Sequence, residues 1–195
     1  MNAEYQLELP FIEVEAAEGE TRQVLDKAQA QVGFIPNMYA YMANAPGLLD
    51  TYLHGYEYFR YHSQFTPVEQ EVVFLIISRE NGCDYCMAAH SMLADKQSKV
   101  PARITNAIRE YEPIPDDKLA ALARFTGIML ETHGRPAQQD VEAFLAAGYS
   151  ERHMLDIILA LAVKTLSNYS NHLFHTPVDG LFSHRAWVDK KAFAA

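Results

Sequence analysis

The segment "TPVEQEVVFLIISRENG", Thr66 to Gly82, constrains the fold of this chain more than any other. Thr66 suits a helix cap, Pro67 the first helical position, and Glu69 completes a capping box. The middle, Val72 to Ile77, is β-branched and apolar enough for a buried strand, and periodicity alone does not settle so short a run. The cap, together with the absence of other strand candidates, selects a helix. Gly82 then offers a stop.

The rest of the chain repeats this pattern, with helical periodicity between sparse glycines and prolines. After an extended N-terminal arm, residues 20–33 read as an amphipathic helix, with a short helical piece between Pro36 and Pro46. A longer aromatic-rich helix follows to Ser63, whose tyrosines and Phe59 read as core and interface packing. Val100 to Tyr111, Asp116 to His133 and Gln138 to Ala147 read as further helices, and Ser150 opens a last long one to about His175. A shift of 84 residues lays "TPVEQEVVFLIISRENGCDYC" over "SERHMLDIILALAVKTLSNYS", so that Cys83, Tyr85 and Cys86 meet Ser167, Tyr169 and Ser170. The expectation is a single all-α helical domain over 1–195 built on a duplicated unit. A catalytic repeat would span about 46–98 and a degenerate one about 116–177.

Net charge is −9 and no basic run exists, which argues against nucleic acid or an anionic membrane surface as partner. The apolar runs "VVFLII" and "ILALAV" are far below the roughly 18 residues of a membrane span. The acidic start has no signal-peptide character, so the expected location is the cytoplasm. In a reducing compartment a lone Cys-x-x-Cys points to catalysis or metal binding rather than to a permanent staple.

Both cysteines of the chain lie in "ENGCDYCMAAH". If Gly82 ends one helix and Cys83 opens the next, both sulfurs sit in the first turn. Unpaired N–H groups and the helix dipole favour thiolate there. Cys86 and His90, at i and i+4, share a face, so imidazole is placed to take the thiol proton or to stabilise the thiolate. Cys83 is close enough to condense with an oxidised Cys86. Glu71 lies beside the apolar run, where burial would raise its pKa and suit it as a relay partner of His90. A metal reading would need His90 and Glu71 to complete the ligand set of a two-cysteine site, an unusual combination. His172 and His175 read as packing or surface residues, and no metal or other cofactor is expected.

Glu71, eleven residues, Cys83-x-x-Cys86, three residues and His90 resembles the signature of the alkylhydroperoxidase D family, within the carboxymuconolactone decarboxylase group. The stretch "GFIPNMYAYMANAPGLL" also resembles the upstream helices of its peroxidase-related branch, and with the repeat the resemblance runs from about Gly33 to His175. The resemblance implies an all-helical protomer that forms a homo-oligomer. It makes Cys86 the peroxidatic and Cys83 the resolving cysteine, with His90 and Glu71 as proton relay. Dipole and exposure alone would favour Cys83 as nucleophile; the i,i+4 contact with His90 favours Cys86, in agreement with the family. Well-known members carry histidine where this chain has Tyr85, whose hydroxyl is expected to hydrogen-bond a peroxide oxygen. The implied partners are a hydroperoxide and a thioredoxin-like or lipoyl-bearing dithiol reductant. A cofactor-free decarboxylase of lactone-type acids and a non-enzymatic thiol redox sensor are the alternatives. The first would not need the cysteines and lacks an evident arginine clamp.

Overall fold

The structure is a computed structural model that describes residues 4–189. Nine α-helices and two 3₁₀ turns, with no strand, make up the regular structure of these residues: α1 (Gly19–Val32), α2 (Asn37–Met42), α3 (Pro46–His62), α4 (Pro67–Glu80), α5 (Asp84–Lys96), α6 (Ala102–Glu110), α7 (Asp117–Glu131), α8 (Gln138–Ala146) and α9 (Glu151–Phe174). None of these helices is long and apolar enough to cross a membrane.

The ambiguous segment is helical, and its lack of amphipathic periodicity has a direct cause. α4 is the central helix, packed by α5, α6, α7 and α9, and every residue from Glu69 to Ser78 is buried. A helix enclosed on all sides has no polar face to alternate with its apolar one. Its start carries the complete capping box: Thr66 Oγ1 accepts from Glu69 N–H at 3.3 Å, and the Glu69 carboxylate accepts from Thr66 N–H at 2.9 Å.

α3 lies along α9, and the closeness of that contact depends on Gly55. A Cβ there would sit 2.9 Å from Val163 Cγ2, inside any normal carbon contact. The extended N-terminal arm crosses the end of α9, with Leu7 N–H donating to Leu173 O at 2.8 Å. After α9 the chain returns over α5 and α6, where Trp187 Nε1 donates to Arg109 O at 3.0 Å.

The two segments paired by the 84-residue shift are built differently at one point. After α4, Asn81 and Gly82 turn the chain, Gly82 taking φ +66°. Cys83 is extended and caps α5. The position corresponding to Gly82 is Leu166, which a left-handed turn disfavours, and α9 runs unbroken from Glu151 to Phe174.

Candidate active site

Cys83 is the N-cap of α5 and Cys86 lies within its first turn, as the spacing predicts. Both are free thiols, 0 % and 2 % exposed. His90 follows one turn later and is also buried. Its Nδ1 lies 3.0 Å from Glu71 Oε2, so the two expected relay residues meet across α4 and α5.

Glu71 departs from the expectation in one respect. Burial pushes its pKa up, but Arg60, 2.7 Å from Oε1, and His90 together outweigh burial and hold the carboxyl down at about 2. Ser98 Oγ adds a hydrogen bond to Oε1 at 3.1 Å. Burial alone was the wrong guide, because Arg60 arrives from α3. Its guanidinium packs over the rings of Tyr56 and Phe74 at 4.9 and 5.0 Å. Glu71 is therefore a fixed carboxylate rather than a site that stores a proton. A carboxylate only accepts, so His90 Nδ1 carries hydrogen and Nε2 keeps its lone pair. Burial first, then the positive charge of Lys164, lowers the His90 pKa to about 4. The imidazole is neutral at neutral pH.

The dithiol's other wall is α9, and the sequence reading missed it. Lys164, Ser167 and Asn171 occupy one face of that helix at i, i+3 and i+7. Asn171 Nδ2 lies 3.4 Å from Cys86 Sγ and 3.8 Å from Cys83 Sγ, and Cys86 Sγ lies 3.9 Å from Ser167 Oγ. Lys164 is fully buried with no hydrogen-bond partner of good geometry. Its ammonium is 5.6 Å from the Phe74 ring centre and close enough to Cys86 to act on its thiol. The signal was present: one lysine inside the apolar run "ILALAVKTL", as anomalous there as Glu71 is in its own helix.

These surroundings divide the two sulfurs. Burial opposes ionisation of Cys86, but the hydrogen bond from Cys83 and the charge of Lys164 prevail and place its pKa well below the ordinary thiol value. Burial, then the bond and charge of Cys86, push Cys83 well above it. The surroundings thus favour the thiolate at Cys86 and the protonated thiol at Cys83. Tyr39 and Tyr52 stand near enough for the Cys86 charge to raise their pKa values further, after burial and their tyrosine neighbours. Tyr52 packs the core, as read from sequence, and both rings also border the sulfur.

Tyr85 is placed differently from the expectation. Its hydroxyl donates to Asp179 Oδ2 at 2.5 Å and its ring meets Phe182 edge-on. The same carboxylate accepts from Asn37 N–H at 3.1 Å. Tyr85 therefore clasps α2 and the 177–182 segment, and its hydroxyl is not available to a peroxide. Among the described residues, no three His, Cys, Asp or Glu side chains are grouped to hold a metal ion. A groove of about 840 Å³, lined by Arg79, Tyr111, Ala123, Gly127 and Tyr169 among others, lies away from the dithiol.

Residues 46–126 match the Carboxymuconolactone decarboxylase family, a segment that contains Glu71, both cysteines and His90 but ends before α9. No curated protein is similar enough in sequence to match this chain. The fold is that of the alkylhydroperoxidase AhpD core. A peroxidase-related protein from Ralstonia eutropha JMP134 superposes with a TM-score of 0.77 at 21% identity, over 89% of this chain and 93% of its own. A peroxidase-related protein from Silicibacter sp. TM1040 gives 0.72 at 20% identity, over 93% and 95%. A cysteine-to-alanine form of the debrominase Bmp8, in complex with 2,3,4-tribromopyrrole, gives 0.74 at 14% identity, over 94% and 97%.

Proposed function

We propose that this chain, with a segment of the carboxymuconolactone decarboxylase family on an alkylhydroperoxidase-like fold, is a thiol-dependent hydroperoxide reductase. The observation that carries the reading is the asymmetry of the two sulfurs. Cys86 faces the Lys164 side chain and the Asn171 amide, which favour its thiolate, while burial and the neighbouring Cys86 favour the protonated form of Cys83. A thiolate is the nucleophile of peroxide reduction, and a neighbouring protonated thiol is the partner that resolves its product.

In this reading Cys86 attacks one peroxide oxygen, the O–O bond breaks, an alcohol leaves and Cys86 becomes a sulfenic acid. Cys83 then attacks that sulfur, water leaves, and a disulfide forms. A thioredoxin-like or lipoyl-bearing dithiol protein reopens it. Neutral His90, oriented by Glu71 through Nδ1, offers Nε2 as a proton acceptor for the Cys83 step. Self-association is proposed through the exposed face of α9, where Leu155, Ile158, Tyr169 and Leu173 lie uncovered. Two free thiols suit a reducing compartment such as the cytoplasm.

The test is thiol counting after one equivalent of cumene hydroperoxide on wild type, Cys83→Ser and Cys86→Ser. The expected result is rapid loss of both thiols in wild type, a trapped sulfenic acid in Cys83→Ser, and no reaction in Cys86→Ser. Reaction of Cys86→Ser but not Cys83→Ser would reverse the roles. Wild type reacting no faster than a free thiol would overturn the function. A brominated pyrrole run alongside tests the chemistry named for the fold's debrominase: bromide release outpacing peroxide loss would change the substrate class.

A further inference from the structure

Breaking an O–O bond leaves an alkoxide that needs a proton, and few groups around Cys86 have one to give. Glu71 is a fixed carboxylate and His90 is neutral with its hydrogen turned toward Glu71. Arg60, from α3, does not deprotonate. Tyr39 on α2 and Tyr52 on α3 are buried phenols and Tyr56 on α3 a partly buried one, all three held above the ordinary phenol pKa first by burial and so poor acids in that setting. The Cys83 proton is consumed in forming water when the disulfide closes. What remains is the Lys164 ammonium, 0 % exposed and with no hydrogen bond of good geometry to oppose its reach toward Cys86, on the α9 face that carries Ser167 and Asn171 to the sulfurs.

Charge conservation in the sealed chamber points the same way. A thiolate beside an ammonium is a neutral pair, whereas a sulfenic acid or disulfide beside an ammonium leaves one buried charge without a partner. Such a charge is costly, and neutralisation by proton loss is the usual remedy.

Building on the hydroperoxide reading, we infer that Lys164 is a catalytic residue: it pairs with the Cys86 thiolate in the reduced enzyme and donates the proton that the leaving oxygen takes. In the first step Cys86–S⁻, ROOH and Lys164–NH₃⁺ become Cys86–SOH, ROH and Lys164–NH₂. In the second, Cys83–SH and Cys86–SOH become the disulfide and water. In the third, a dithiol reductant is oxidised to its disulfide. It returns Cys83–SH, Cys86–S⁻ and Lys164–NH₃⁺, its second proton going to the amine. Lysine is thus charged in the dithiol form and neutral in the disulfide form, and one proton cycles through it per turnover.

Two measurements on the full-length reduced protein test this. The first compares alkylation of Cys86 by iodoacetamide, which needs a thiolate but no acid, with single-turnover oxidation by cumene hydroperoxide, which needs both. Lys164→Arg keeps the charge but not the transferable proton. It is expected to retain wild-type alkylation at neutral pH and lose about 100-fold in peroxide oxidation. Lys164→Met is expected to lose the thiolate's ultraviolet absorbance at neutral pH and to slow in both reactions. A Lys164→Arg variant with wild-type peroxide rates, or one slowed equally in both reactions, overturns proton donation.

The second measurement needs no variant. Oxidation of wild type in weak buffer with an indicator dye is expected to exchange no net proton with solvent, because Lys164 supplies it. Uptake of one proton per disulfide, with the thiolate absorbance present beforehand, overturns the inference. Diamide, a two-electron and two-proton oxidant that bypasses peroxide chemistry, gives the same count. The role of Lys164 is therefore read even if hydroperoxides prove not to be substrates, and that failure is seen separately as absent peroxide consumption.

Discussion

Asn171 holds its side-chain amide 3.4 Å from the Cys86 sulfur although 85 positions separate the two residues. An N–H pointed at a thiolate is a charge-assisted hydrogen bond, worth about 1.5–3 kcal/mol when the acceptor is ionised. Asn171→Leu, which removes the donor and keeps comparable bulk, is expected to raise the Cys86 titration by about one to two pH units. The pH profile of iodoacetamide alkylation reads the shift, and an unmoved profile would mean that the amide is a packing group only.

Arg60 and Glu71 form a buried ion pair with His90 and Ser98 on the carboxylate's remaining edges. Arg60→Met leaves the Glu71 charge enclosed and is expected to cost about 3–5 kcal/mol of stability by urea unfolding. Adding Glu71→Gln removes the stranded charge. The double variant is expected to be more stable than Arg60→Met alone, a non-additivity that independent sites would not give.

His90 makes stability depend on pH in a defined window. Its folded pKa, about 4, lies below the ordinary 6.5, so between these values the unfolded chain binds a proton that the folded chain refuses. Stability present above pH 6.5 is therefore lost as pH falls toward 4, by about 3 kcal/mol in all. Glu71, also depressed, adds loss in the same direction from its ordinary value of 4.5 toward about 2. Urea midpoints measured through this range should fall with acidification, and His90→Gln should flatten the upper part of the curve.

Tyr85→Phe removes the hydroxyl donated to Asp179 and is expected to cost about 1–3 kcal/mol. Hydrogen exchange should quicken at Asn37 and in 177–182, the segments that this clasp joins, while alkylation of Cys86 keeps its rate. A slowed alkylation would return Tyr85 to the site.

Gly55→Ala brings a methyl to 2.9 Å from Val163 Cγ2. The β-branched neighbour has little rotamer freedom to yield. Overpacking is expected to cost about 1–3 kcal/mol, despite the better helix propensity of alanine. An equal or higher urea midpoint would show that α3 and α9 separate freely.

What the sequence made legible was local. The capping box at Thr66, the stop at Gly82 and the one-face spacing of Cys86 and His90 are near-neighbour patterns, and each is present as read. Glu71 was identified by its anomaly inside an apolar run, but not its protonation, because that depends on Arg60 from another helix. Lys164 and Asn171 were missed for a related reason. The comparison at 84 residues brought "SNYS" into register with the dithiol, and with no sulfur there the second unit read as chemically silent. Its contribution is to supply donors to sulfurs it does not own, which no spacing within one helix records.

The family match ends at residue 126, while Lys164 and Asn171 lie beyond it on α9. In the proposed mechanism reactivity is thereby divided between a motif helix and a distant one, and divergence is free to retune the second without touching the first. A relative with the whole Glu71–His90 signature but an apolar side chain at position 164 would be a sluggish dithiol under an unchanged motif. Grouping such chains by the residues at 164 and 171 would separate fast thiols from slow ones where the signature makes them look alike.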